Sequence, residues 1–100
     1  MIGMKVIFKT KEQSSEAEQR QLMSKLVEVY KNVPGIKQKY FLADPKTGEV
    51  GGFYAFESQE AVDEYLKSDV YKQVVLSNTQ VEPMVETFII IASLDSGVLM

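Results

Sequence analysis

Lys37–Ala61 reads KQKYFLADPKTGEVGGFYAFESQEA, and this stretch decides the fold. An apolar and aromatic run, about Ile36 to Ala43, meets the turn residues Asp44-Pro45-Lys46-Thr47-Gly48. A second run, about Glu49 to Phe56, leads straight to a helix start at Ser58. β-Branched and aromatic residues bounded by turn formers predict strands. Asp opens a type I turn, Pro supplies the fixed φ of the next position, and Gly48 takes a left-handed conformation. A four-residue loop from Pro45 to Gly48 pairs Asp44 with Glu49, Phe41 with Gly52 and Lys39 with Tyr54. A slip of one residue turns every side chain to the other face, so this register assigns the faces of the sheet.

Upstream, Met4-Lys5-Val6-Ile7-Phe8 reads as a first strand, and the polar residues Lys9 to Gln13 follow it. Ser15 with Glu18 forms a capping box at a helix start. Leu22, Leu26, Val29 and Val33, flanked by Met23, Val27 and Tyr30, repeat at helical spacing and predict a buried face. Arg20, Lys25, Glu28 and Lys31 fall on the solvent side, and Pro34-Gly35 ends the helix near Asn32. Downstream, Ser58 caps a second helix with Ala61, Val62, Tyr65, Leu66 and Val70 inward. A further helical piece, Val70 to Leu76, either continues it or follows a kink near Ser68-Asp69. Ser77 to Glu82 reads as loop and Val85 to Ala92 as the last strand. After about residue 93 a tail without periodicity ends in Val98-Leu99-Met100, which either docks on a partner or stays disordered. The order βαββαβ predicts an α+β, ferredoxin-like domain spanning residues 1–100. Its four-stranded antiparallel sheet carries two helices on one face.

Composition narrows the chemistry. One hundred residues, 45% of them apolar, suit one core and no second. No apolar run is long enough to span a membrane, and Met1 to Lys5 lacks the pattern of a secretory signal. With no cysteine there is no disulfide, thiolate nucleophile or zinc ribbon, which is compatible with a cytoplasmic home. A net charge of −3 gives no reason to expect nucleic acid. With no histidine, the usual serine triad, imidazole acid–base catalysis, HExxH zinc sites and His-ligated haem all drop out. Chemistry is left to Tyr, Asp, Glu, Lys, Arg, Asn, Ser and backbone amides.

The strands do not alternate as a sheet with one wet face should. The last strand sets Phe88, Ile90 and Ala92 on one face and Thr87, Ile89 and Ile91 on the other. The third offers Tyr54 and Phe56 on one side, Phe53 and Ala55 on the other. Two helices cover one face, so the other is left with a larger apolar patch than soluble monomers carry. A second copy, packed sheet to sheet in a two-fold dimer, is the simplest cover; the alternative is a monomer with its tail folded across.

Pro34-Gly35-Ile36 followed by Gly51-Gly52-Phe53-Tyr54-Ala55-Phe56-Glu57-Ser58-Gln59-Glu60-Ala61 resembles the dimeric α/β-barrel superfamily, which includes the antibiotic-biosynthesis-type monooxygenases. The spacing is especially similar to the small YdhR-type monooxygenases, over roughly Val6 to Ile91. The resemblance implies oxygen insertion without metal or flavin: a phenolic or anthrone-like substrate loses a proton and its carbanion reduces O₂ directly. It also implies a hydrophobic pocket in each subunit, between helices and sheet. Quinone-forming relatives carry Trp, Asn and Tyr where this chain has Phe56, Gly52 and Val62. Phe56 can keep a planar wall, whereas Gly52 and Val62 offer no side-chain hydrogen bond to an oxyanion. The haem-degrading branch needs a histidine that is absent here.

Each candidate group carries two readings. Tyr54 can donate to a substrate oxygen, or be a core tyrosine whose hydroxyl finds a partner. Tyr40 offers a similar phenol on the second strand. Lys39, sharing a face with Lys37 and Phe41, can steady an anionic ligand or become a base on burial; otherwise it snorkels to the rim. Gly51-Gly52 admits a close ligand, or makes room for a facing aromatic ring or a bulge. Glu57, Glu60, Asp63 and Glu64 complement a helix dipole as a solvated face rather than a metal site. The expected catalytic groups are Tyr54 and Tyr40, and the expected ligand-binding ones Gly52, Phe56, Val62, Phe41 and Lys39, with no metal and no cofactor. The leading expectation is a cytoplasmic homodimer that oxygenates or isomerises a small aromatic metabolite. The alternatives are a module that binds a small apolar ligand without turnover and a structural dimer with a filled core.

Overall fold

The computed structural model describes residues 1–11 and 15–98. Strands β1 (Ile2–Lys9), β2 (Ile36–Asp44), β3 (Glu49–Phe56) and β4 (Met84–Ile89) form one antiparallel sheet in the order β2-β3-β1-β4. Helices α1 (Glu16–Tyr30) and α2 (Gln59–Lys67) lie on one face, which makes this the ferredoxin-like α+β fold. No helix among the described residues is long and apolar enough to cross a membrane. Residues 12–14, with the end of the polar stretch after β1, and Leu99-Met100 of the tail lie outside the described residues.

Local chemistry fixes the central hairpin. Asp44 Oδ1 accepts from the Lys46 amide at 2.9 Å, and the Gly48 amide donates back to the Asp44 carbonyl at 2.9 Å. Gly48 sits at φ +78°, where a side chain would be strained. The register is Asp44 to Glu49, Phe41 to Gly52 and Lys39 to Tyr54, as the four-residue loop predicts. The ladder slips between Ile36 and Gln38, so Lys37 is the extra residue of a bulge. It does not share the Lys39–Phe41 face as the alternation suggested, and instead reaches Glu57 at 3.5 Å.

Ser15 and Glu18 close the capping box at α1, each side chain accepting from the other's amide at 3.1 Å. Helix α1 differs from expectation in its packing. Only Tyr30 is buried; Leu22 is 53% and Val29 42% exposed. Apolar residues occupy two stripes of this helix, and the stripe Met23-Leu26-Tyr30-Val33 is the one turned to the sheet. Ser58 caps α2, and Val62 and Tyr65 are buried from it. At Ser68 the backbone turns extended, and its hydroxyl caps the short α3 (Asp69–Tyr71), which runs into a π-helical turn, Lys72–Leu76. Asn78 closes that turn by donating to the Gln73 and Val74 carbonyls.

Met4, Val6, Phe8, Val50, Tyr54 and Phe56 from the sheet pack with Tyr30, Val62, Tyr65, Tyr71 and Val75 in one core. The other face is bare: Phe53 and Phe88 are 37% and 49% exposed, and every residue of β4 is exposed. β4 ends at Ile89 rather than Ala92 because β1 begins at Ile2, its last partner; one further bond runs from the Ile90 amide to the Met1 carbonyl. Beyond it the segment expected to lack structure makes a two-stranded ladder, β5 (Ala92–Ser93) with β6 (Gly97–Val98).

Candidate functional site: a lysine among tyrosines

Lys39 leaves β2 toward the helices, directly beside Tyr54 on β3. Its chain crosses Gly52: a Cβ there would sit 3.0 Å from Lys39 Cε and 3.1 Å from Tyr54 Cε1. Room at Gly52 is thus taken up first by the lysine stem and the Tyr54 ring, and not by the facing Phe41 ring as the pairing suggested. The Lys39 ammonium position lies 3.2 Å from the Tyr30 ring centroid, 4.3 Å from Phe41 and 4.2 Å from Tyr54. Its Nζ is also 3.0 Å from Tyr54 Oη.

From there a chain of hydroxyls runs through the core. Tyr54 Oη is 3.1 Å from Tyr65 Oη, which is 2.6 Å from Tyr30 Oη. Four elements meet here: α1 brings Tyr30 at its last turn, β2 Lys39, β3 Tyr54 and α2 Tyr65. Lys39 takes part in none of the ion pairs among the described residues. Burial among rings draws its pKa down to about 7. Burial likewise pushes the Tyr54, Tyr65 and Tyr30 phenols up, so they stay protonated.

Hydrogen counting distinguishes two states of the chain. A charged Lys39 donates to Tyr54, which donates to Tyr65, which donates to Tyr30; the Tyr30 hydrogen then finds no acceptor within the cluster. With Lys39 neutral, the order reverses and all three phenolic hydrogens are used, the last one by the amine lone pair. Within the cluster, every phenolic hydrogen therefore has an acceptor only when the lysine is uncharged.

Two grooves flank the cluster. One of about 530 Å³ separates α1 from β2 and is lined by Arg20, Met23, Val27, Phe41 and Ala43 among others. The second, about 490 Å³, lies between the end of α1 and α2, with Val33, Ala61, Tyr65 and Val70 in its wall. Phe41 belongs to both the lysine cage and the first groove, and Tyr65 to both the hydroxyl chain and the second.

The expected residues divide between site and scaffold. Lys39, Phe41, Tyr54 and Gly52 come together. Phe56 and Val62 are wholly buried packing, and Tyr54 itself is 2% exposed with its hydroxyl already partnered. Tyr40 pairs with Phe53 on the opposite face and is 60% exposed, so it shares no cavity with Tyr54. Its place in the strand is odd where that of Lys39 and Phe41 is even, and the alternation of the pleat sends it away. From the sequence, Tyr30 and Tyr65 appear only at core positions of their helices. A buried tyrosine needs a partner for its hydroxyl, and that requirement was the available signal. The carboxylates Glu57, Glu60, Asp63 and Glu64 are exposed, with Glu57 held by Lys37 and Asp63 by Gln59.

Residues 4–95 match a family described as "Putative mono-oxygenase ydhR". No curated protein matches the chain. Among solved structures, a protein of unknown function from Nitrosomonas europaea superposes with a TM-score of 0.70 at 14% identity, covering 92% of this chain and 90% of that one. An antibiotic biosynthesis monooxygenase gives 0.65 at 14% identity, with 90% and 98% covered. A dabb family protein with a ferredoxin-like fold, from Mesorhizobium loti, gives 0.63 at 17% identity, with 88% and 94% covered. At these identities the superpositions establish the shared fold.

Proposed function

The chain belongs to the YdhR mono-oxygenase family, and from that premise we propose that it takes a small aromatic molecule into the groove between α1 and β2 and oxygenates it without metal or flavin. One observation carries the proposal: Phe41 lines that groove, and its ring centroid lies 4.3 Å from the Lys39 Nζ. A phenolic ligand stacked near Phe41 lies one ring away from a neutral amine. With the Phe41 ring turned aside, that amine can accept the phenol's proton, and the resulting carbanion form reduces O₂ directly. A pKa of about 7 suits a base working near neutrality. Tyr54 holds the amine at 3.0 Å.

Assembly is part of the proposal. Tyr40, Phe53 and Phe88 stand exposed on the bare face of the sheet, and a second copy packed against it in a two-fold dimer covers them. A cytoplasmic setting fits a cysteine-free chain.

The test is oxygen uptake by the protein with anthrones and dihydroxyarenes in the presence of a chelator, with quinone followed by absorbance. Expected is uptake that falls at least tenfold in Lys39→Met while Tyr40→Phe is unaffected. Absence of uptake across the panel, with binding still seen by calorimetry, would instead favour ligand holding without turnover. That second reading has its own support: Phe56 and Val62 are wholly buried, and Tyr54 and Tyr65 spend their hydroxyls on each other.

A further inference from the structure

We propose that Lys39 is a covalent capture site, whose amine forms a reversible imine with a small aromatic aldehyde or ketone. This goes beyond oxygenation and requires no O₂. Ten lysines occur in the chain, and among the described residues Lys39 is the one whose Nζ lies against rings, with Tyr30, Phe41 and Tyr54 at 3.2 to 4.3 Å. Attack on a carbonyl needs the lone pair of an uncharged amine, and desolvation without a carboxylate partner is how proteins obtain one. The hydroxyl chain of Tyr54, Tyr65 and Tyr30 completes its hydrogen bonds when the amine is uncharged. A phenol at 3.0 Å supplies the second requirement, a proton donor beside the nitrogen.

The step balances without an oxidant or reductant. The Tyr54 hydroxyl turns from the nitrogen to the carbonyl oxygen, the freed nitrogen lone pair bonds to the carbonyl carbon, the C=O π pair moves to oxygen, and a proton passes from nitrogen to that oxygen. Tyr54 then donates its hydroxyl proton as the C–O bond breaks and water leaves, and it recovers the remaining nitrogen proton. Amine and carbonyl have become imine and water. Burial keeps the Tyr54 phenol protonated and hence able to donate. The aromatic class of the carbonyl compound follows from the cage, whose Phe41 ring also faces the groove beside α1.

Benzaldehyde with cyanoborohydride at pH 7 tests the site, because reduction fixes each imine as a benzyl amine that peptide mass mapping locates. The full chain is used, and the Met1 amino group serves as the internal reference. Lys39 is expected to be labelled at least tenfold faster than each of the nine other lysines. Labelling of Lys39 at or below the rate of the others overturns the proposal, and this comparison needs no variant. Tyr54→Phe is expected to slow Lys39 labelling several-fold and leave the other lysines unchanged. An unchanged Lys39 rate in that variant, with the fold verified by circular dichroism, overturns the part given to Tyr54.

Discussion

The two faces of one sheet are built from the same kinds of residue and end in opposite conditions. On the helix face of β1 and β3, Met4, Val6, Tyr54 and Phe56 are at most 2% exposed, and each polar atom there has a partner. On the other face Phe53, Phe88 and Tyr40 stand between 37% and 60% exposed. β4 extends the contrast to both its sides, since the helices do not reach it: Val85 and Ile89, on the helix side by register with Val6 and Ile2, are exposed at 38% and 76%. Hydrophobic content states that a side chain gains by leaving water; it does not state what will cover it. One face finds its cover within the chain. The other finds none within the chain, and the second copy proposed above would erase the difference between the faces.

Breaking the bare face has the largest expected effect. Phe88→Asp places a charge at the centre of the proposed interface, where burial without a counter-charge costs several kcal/mol. Light scattering at micromolar concentration is expected to give twice the 11.3 kDa chain mass for the wild type and the single mass for this variant, with the helical circular dichroism unchanged. A wild-type chain that scatters as a monomer would sink the inference from strand composition, and would leave the exposed face as a surface without a partner.

Inside the covered face the corresponding test is a single hydroxyl. Tyr65 lies between Tyr30 and Tyr54, at 2.6 and 3.1 Å, and Tyr65→Phe leaves both of those phenols with one partner fewer in a buried place. The expected loss is about 1–3 kcal/mol of unfolding free energy, the usual cost of an unsatisfied buried polar group. Tyr40→Phe, on the bare face, should move stability by less than about 0.5 kcal/mol. Equal effects at the two positions would mean that the hydroxyl chain contributes nothing to the core.

Particular residues show what the sequence could reveal. The Asp44-Pro45-Lys46-Thr47-Gly48 turn is local chemistry, so the hairpin register and the pairing of Lys39 with Tyr54 were legible from it. Capping at Ser15 and Ser58 is local too. The cluster is not local. Tyr30 and Tyr65 are 35 residues apart and meet because α1 and α2 end over the same strands. At helical spacing each reads as an apolar core residue, and nothing in its own neighbourhood reveals the phenol of the other. The bulge at Lys37 was hidden for a related reason: an alternating pattern cannot show where one strand carries an extra residue. Leu22 and Val29 misled because the period of the helix permits two apolar stripes, and only tertiary packing chooses between them.

Two lysines separated by one residue give the finest test of the same contrast. Lys39 lies in the covered face with a pKa drawn down to about 7 by burial, against 10.5 for the free side chain. Between those values the unfolded chain binds the extra proton, so folding stability contributed through Lys39 rises with pH across that window. Below about pH 7 both states are charged and the burial cost is carried in full; above about 10.5 neither is charged and the cost is gone. For one group the slope is at most about 1.4 kcal/mol per pH unit. Lys39→Met should therefore flatten the rise of stability between pH 7 and 10 in urea titrations, relative to the wild type. Lys37→Met is the contrasting variant, because Lys37 sits on the bulge with its exposed side chain 3.5 Å from an equally exposed Glu57. Losing such a surface pair changes stability by about 0–1 kcal/mol at any one pH. If Lys39→Met left the slope unchanged, the uncharged amine would not belong to the tyrosine cage, and both the proton transfer and the imine chemistry assigned to Lys39 would lose their physical basis.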